Sequence, residues 1–261
     1  MTTGAAEAKG QALPEILSTR SLTKRFGAFT VIDDLDLVVR EGTFHALIGP
    51  NGAGKTTCFN LLSKFLAPTE GSIHYRGQDI TTCPPADIAR LGVVRSFQIS
   101  AVFPNLTVAE NILIALQQPT NLPYRFWRST KATTALLGRA QELASSVNLA
   151  DWFDRPAGEL SYGRKRALEI ATTLALEPDV FLLDEPMAGM GAEDIAMVSD
   201  LIRDVAKGKT VVMIEHNLNV VKDLCETITV LQRGSILAEG DYLSVSQNQD
   251  VLTAYLGADH E

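Results

Sequence analysis

His45 to Pro68 read HALIGPNGAGKTTCFNLLSKFLAP. An apolar run, Ala46 to Ile48, meets a glycine-rich loop. The loop opens a stretch in which Phe59, Leu62, Phe65 and Leu66 recur at helical spacing until Pro68 stops it. Within this order of strand, loop and helix, Gly49, Gly54, Lys55 and Thr56 satisfy the spacing G-x-x-x-x-G-K-[ST]. The candidate phosphate cradle is therefore Gly49, Pro50, Asn51, Gly52, Ala53, Gly54, Lys55, Thr56 and Thr57. Glycines let the backbone curl so that successive N–H groups and a helix N-terminus face an anion. Lys55 reaches β- and γ-phosphates, and the Thr56 hydroxyl can ligate Mg²⁺.

A second segment, PDVFLLDEP (Pro178–Pro186), has the four consecutive apolar residues of a strand buried on both faces. It delivers Asp184 and Glu185 at its C-terminal end, where open α/β sheets bind ligands. Asp184 is placed to hold the Mg²⁺ shell, and Glu185 to polarise a water for attack on a γ-phosphate. TVVMIEH (Thr210–His216) repeats the pattern, with Val211 to Ile214 as strand and His216 just beyond it as a candidate γ-phosphate sensor.

The 261 residues, 46% hydrophobic, suffice for one large domain or a core with an appended subdomain. A formal charge of −8 disfavours a general nucleic-acid binder, which needs a basic surface to release counterions. Cys58, Cys83 and Cys225 are odd in number and far apart, which suggests neither a disulfide framework nor a zinc site and fits a reducing cytosol. MTTGAAEAKGQALPEI reads as a disordered tail rather than a signal peptide. No stretch approaches about 18 uninterrupted apolar residues, so any membrane role is expected to be peripheral.

LSYGRKRALEIA (Leu160–Ala171) raises a different question. Ala167, Leu168, Ala171, Leu174 and Ala175 recur at helical spacing, yet Arg164, Lys165 and Arg166 crowd the first turn. Each is disfavoured there by about 0.3–1 kcal/mol unless an anion is near. A mostly helical middle, Leu106 to about Gly158, separates this helix from the first phosphate-loop half, so the nucleotide core is expected to be split in sequence. GSIHYRGQDI (Gly71–Ile80) reads as strand and turn within an N-terminal β-rich portion. LPYRFWRST (Leu122–Thr130) mixes Tyr124, Phe126 and Trp127 with Arg125 and Arg128. It reads as a loop, as a permease or headgroup contact, or, against the overall acidity, as a single-stranded nucleic-acid contact.

Taken in order, the phosphate loop, SFQ (Ser96–Gln98), LSYG (Leu160–Gly163), LLDEP (Leu182–Pro186) and IEH (Ile214–His216) resemble the ATP-binding cassette (ABC) ATPases from about Leu22 to Gly257. The resemblance implies an α/β P-loop NTPase cassette with a RecA-like core, an antiparallel β subdomain and an inserted helical subdomain. In residues, this is a tail over 1–16 and a cassette over 17–257. Within the cassette, 17–100 and 164–257 form the nucleotide core and β subdomain, and 101–163 the helical subdomain with the signature turn. It further implies that Phe26 stacks on adenine, that Gln98 contacts Mg²⁺ and the attacking water, and that Glu185 is the catalytic base. By the same resemblance Leu160, Ser161, Tyr162 and Gly163 bind the γ-phosphate of ATP held by a second cassette, identical or paralogous. That second copy would supply the anion for the basic turn.

Tyr162 and Arg164 stand where the common signature has glycine and glutamine. The LSYG turn, RLGVVRSFQ (Arg90–Gln98), LTVAENI (Leu106–Ile112), IEHN (Ile214–Asn217) and AYLG (Ala254–Gly257) are similar to ATP-binding subunits of branched-chain amino-acid importers. Gly191 replaces the aspartate or asparagine expected after the Glu185 strand, which puts tight coupling between the two ATP sites in question. The implied function is an ATPase using ATP and Mg²⁺. It would sit at the cytoplasmic face of the membrane and drive permease subunits, receiving a permease coupling helix in a groove at Ser100 to Asn111, with no contact to nucleic acid. Selectivity then resides in other proteins, which leaves branched-chain amino acids, urea, amides or another small solute open. A soluble cassette ATPase without a permease is the other class. Such proteins usually carry two cassettes, long coiled coils or basic extensions, and this chain has none of these.

Overall fold

The computed structural model describes residues 13–96, 102–117 and 130–256, without the side chains of 130–133 and 256. The chain opens with β1 (Glu15–Phe26), β2 (Phe29–Leu35), β3 (Val38–Arg40) and β4 (Phe44–Ile48), followed by α1 (Lys55–Leu62), β5 (Glu70–Tyr75), β6 (Gln78–Asp79), α2 (Pro85–Leu91) and β7 (Val93–Arg95). The middle holds α3 (Val108–Gln117), α4 (Thr130–Ser146) and α5 (Tyr162–Leu174). The last third comprises β8 (Val180–Asp184), α6 (Ala192–Val205), β9 (Thr210–Ile214), α7 (Leu218–Leu224), β10 (Thr227–Gln232), β11 (Ser235–Gly240), α8 (Tyr242–Ser246) and α9 (Gln249–Leu256). Glu15 and Ile16, expected to lie in the tail, instead open β1. Ile16 is buried and Glu15 pairs with Arg40.

Among the described residues the strands form two sheets. The smaller is antiparallel, in the order β2-β1-β5-β6 with β3 also on β1; the larger runs β11-β10-β4-β9-β8-β7 and is parallel except at β11. Every residue of β4, β8 and β9 is buried, as the continuous apolar runs require of strands covered on both faces. The period of two then assigns side chains to opposite faces. Phe44, Ala46, Ile48, Phe181, Leu183, Val211 and Met213 join one core with α5, α6 and α7. Leu47, Val180, Leu182, Val212 and Ile214 join the other, with α1 and the antiparallel sheet.

Helix α5 and its C-cap bury all five positions expected from the spacing, Ala167, Leu168, Ala171, Leu174 and Ala175. Helix α1 is shorter than its periodicity suggests. It ends at Leu62, Lys64 adopts a left-handed φ of 63°, and Phe65 is turned outward. Among the described residues no helix is long and apolar enough to cross a membrane.

Candidate functional site

Strand order builds the site. Because β4, β9, β8 and β7 are lateral neighbours running the same way, their C-terminal ends lie along one edge of the sheet. This brings Gly49, His216, the Asp184–Glu185 pair and Ser96 together from four distant parts of the sequence.

The phosphate loop is fixed at two glycines. Gly49 has φ +147°, and a Cβ there would stand 2.2 Å from the Leu231 carbonyl oxygen. Gly54, at φ +103°, is the N-cap of α1, and its Cβ would meet the Val31 carbonyl at 2.9 Å. Both positions demand the left-handed backbone and the missing side chain. The loop is tied behind by Gly234 N donating to Ala53 O at 3.0 Å. Burial pushes the Tyr255 phenol pKa up, while a hydrogen bond from the Gly49 N–H opposes the shift.

Lys55 is buried, and its ammonium donates to Gly49 O at 2.7 Å and Pro50 O at 3.0 Å. Burial holds its pKa below the usual lysine range, with the Glu185 carboxylate opposing. Asn51, Gly52 and Thr56 are exposed, and no acidic side chain occupies the first turn of α1. The helix N-terminus therefore offers its N–H groups and dipole to an incoming anion.

Asp184 is fully buried. Its Oδ2 accepts from Arg95 Nη2 at 2.6 Å, and Arg95 Nη1 donates to Asn60 Oδ1 at 2.5 Å. The other oxygen, Oδ1, is buried without a hydrogen-bond partner. An orphaned carboxylate oxygen beside a phosphate loop suits a hard divalent cation, which binds through one carboxylate, waters and phosphate rather than an all-protein cage. Among the described residues no cluster of three or more potential His, Cys, Asp or Glu ligands forms.

Glu185 sits at φ +45°, a left-handed conformation that costs a non-glycine residue about 1–3 kcal/mol and needs support from its surroundings. Its N–H donates to Ile214 O at 3.0 Å, and its Oε1 lies 3.0 Å from His216 Nε2. The acid and the imidazole are thus in hydrogen-bond contact. Phe26 ends β1 opposite Phe29 in a turn at Gly27. It is 49% exposed with Lys24 Nζ 5.1 Å from its ring centroid, so its ring is not part of the core.

In the signature turn Leu160 is buried and Ser161 is the N-cap of α5 without a side-chain capping bond. Tyr162 Oη donates to Ala188 O at 3.0 Å, joining the turn to the loop after Glu185. Gly163 packs against the start of α6, where a Cβ would lie 2.6 Å from Asp194 Oδ1. Gly191 is the N-cap of α6.

Two of the three cations have a partner within the chain. The Arg164 guanidinium lies 4.5 Å from the Trp152 ring centroid, and Arg166 pairs with Glu169 at 2.5 Å, one turn along the same helix. The expectation of a foreign anion for the whole basic turn is corrected to that extent. Gln98 and the Tyr124–Arg128 stretch lie outside the described residues, as do Ser100 and Ala101 of the segment expected to meet a permease. Farther along that segment Phe103 is 52% exposed.

Two residues of the site carry no expectation from sequence, Arg95 and Glu215. Glu215 is buried and accepts from the N–H groups of Met187, His216 and Asn217. The signal for both was a charged residue closing an apolar strand beside the acidic pair.

Comparison with known proteins shows the family and the fold. Residues 32–188 match the family model described as ABC transporter. The chain is 36% identical over 249 residues to the high-affinity branched-chain amino acid transport ATP-binding protein LivG of Escherichia coli K12, covering 93% of this chain and 98% of LivG. It is 37% identical over 252 residues to BraF of Pseudomonas aeruginosa, a protein of the same description, with the same coverage. The ADP conformation of MJ1267, an ATP-binding cassette of an ABC transporter, superimposes with a TM-score of 0.82 at 32% identity, covering 93% of this chain and 99% of that one. With a family model matching residues 32–188 and relatives 36–37% identical over almost the whole chain, the chain belongs to the ABC transporter family of ATP-hydrolysing proteins.

Proposed function

We propose that this protein is the ATP-hydrolysing subunit of an importer for branched-chain or related amino acids. It acts at the cytoplasmic face of the membrane on permease subunits and with a second cassette. The observation that carries the chemistry is the convergence on one sheet edge of Lys55, the Arg95–Asp184 pair and the Glu185–His216 contact. The relatives named for branched-chain amino-acid transport carry the substrate class. Residues 17–100 and 164–257 are assigned to the nucleotide core and β subdomain, and 101–163 to the helical subdomain.

Residues Gly49 to Thr57 wrap the phosphates with backbone N–H groups, and Lys55 exchanges its two loop carbonyls for β- and γ-phosphate oxygens. Thr56 and Asp184 Oδ1 would hold Mg²⁺, with Gln98 assigned to the same shell. When bound, the ion neutralises charge developing on the phosphates. Glu185 orients and polarises the attacking water and takes its proton. His216, in contact with Glu185, is assigned to the γ-phosphate end of the same site. Leu160 to Gly163 serve the ATP of the facing cassette.

Phe26 is assigned to the adenine. Phe26→Ala is expected to weaken ATP affinity by about 1–3 kcal/mol, the contribution of a base stacked on an aromatic, with turnover at saturation unchanged. Isothermal titration decides this. A lowered melting temperature with affinity intact would instead make Phe26 a structural residue.

The transport reading is tested by disrupting the gene and following uptake of labelled leucine, isoleucine, valine and urea. Loss confined to the three amino acids, restored by the wild-type chain and not by Glu185→Gln, is the expected result. Loss of urea uptake alone would reassign the solute. Unchanged uptake of all four would favour another small solute or a cassette ATPase that works without a permease.

A further inference from the structure

The β8–β9 ladder ends with Asp184 opposite Ile214, and one further bond, Glu185 N to Ile214 O, continues it. Beyond that point the two chains diverge, one into the loop through Pro186 and Met187, the other towards α7. Glu185 and His216 sit just where the ladder gives out, yet their side chains must keep a 3.0 Å contact. Glu215 spans the gap. Its Oε1 accepts from Met187 N at 3.0 Å, and its Oε2 accepts from His216 N at 2.8 Å and Asn217 N at 3.0 Å. Only 4% of the residue is exposed. Both oxygens are used, one on each loop, at a residue whose neighbour across the gap is held at a left-handed φ. Asn217, gripped by the same carboxylate, caps α7 through its own side chain.

We propose that Glu215 is a positioning residue that sets the separation of Glu185 and His216 by clamping the backbones of their two loops. This rests on the reading of Glu185 as the base. A buried carboxylate bonded to three N–H groups stabilises the fold in any case. The positioning role adds that the clamp carries catalysis through the Glu185–His216 geometry.

Glu215→Gln keeps the shape and replaces one oxygen with an NH₂ group that cannot accept from the facing N–H groups. Glu215→Asp keeps both oxygens but is too short to reach both loops, and serves if the glutamine variant fails to fold. Measured below the melting temperature of each variant, kcat is expected to fall on the order of 10²-fold, as a displacement of about 1 Å in a catalytic group can cost. ATP affinity is expected to stay within about twofold, because the phosphate loop is not part of the clamp. Combined with His216→Ala, the loss on replacing Glu215 should largely vanish, as for residues acting as one unit.

A folded variant with wild-type kcat, a loss equal in both backgrounds, or a parallel loss of ATP affinity would each overturn the proposal. Glu185→Gln is assayed beside it. If that variant is inactive while Glu215→Gln is normal, only the clamp fails. If Glu185→Gln turns over normally, the assignment of the base fails first.

Discussion

Lys55→Ala is expected to abolish measurable ATP binding, whereas Glu185→Gln is expected to bind ATP normally and lose turnover. A hydrogen bond to a charged group contributes about 1.5–3 kcal/mol. Lys55 is assigned to two phosphates, so its removal should weaken binding on the order of 10²–10⁴-fold. The rest of the loop should survive the substitution, because its shape is held by Gly49 against Leu231, Gly54 against Val31 and Ala53 against Gly234. Glu185 lies beyond the end of β8 and outside the Gly49–Thr57 loop, so the loop's shape does not depend on its carboxylate. Replacing its carboxylate with an amide removes the proton acceptor, which costs about 10²–10⁴-fold in rate for a general base. Equilibrium nucleotide titration beside a phosphate-release assay separates the two lesions. Normal turnover by Glu185→Gln would remove Glu185 from the role of base, and normal binding by Lys55→Ala would remove Lys55 from the phosphates.

Much of this site was legible in the chain because its pieces are short and local. Strand, glycine loop and helix announce the cradle from 24 consecutive residues. The continuous apolar runs at Val180 and Val211 mark strands covered on both faces, and the polar residues just past each run fall at the ligand edge. Arg95 and Glu215 escaped for a different reason. The partner of Arg95 is set by the pairing of β7 with β8, and that of Glu215 by the pairing of β8 with β9. Strand order is a property of the whole topology rather than of any segment. The basic turn is the opposite case. Arg166 and Glu169 stand at the i,i+3 spacing of facing helical neighbours, so their pairing was readable without coordinates. Left to be explained by a second molecule are the uncapped N-terminus of α5 at Ser161 and the half-exposed Lys165, not the whole cationic run.

The same turn carries the second large effect. Ser161 is exposed, caps α5 through its backbone alone, and leaves the helix N-terminus open to an anion. Arginine in its place would fill that pocket while leaving the chain's own Gly49–Thr57 loop untouched. Each monomer should therefore still bind ATP, and two cassettes should no longer close on it. Tyr162 and Gly163 continue to tie the turn to Ala188 and Asp194, so the fold should be retained. The decisive measurement is sedimentation of Glu185→Gln protein at low salt with ATP and Mg²⁺, with and without Ser161→Arg, alone and mixed with any paralogous cassette encoded beside it. The expected result is a stable ATP-dependent dimer that Ser161→Arg abolishes while nucleotide binding persists; a dimer that survives arginine at position 161, or none under any of these conditions, would contradict the cross-cassette role of the turn.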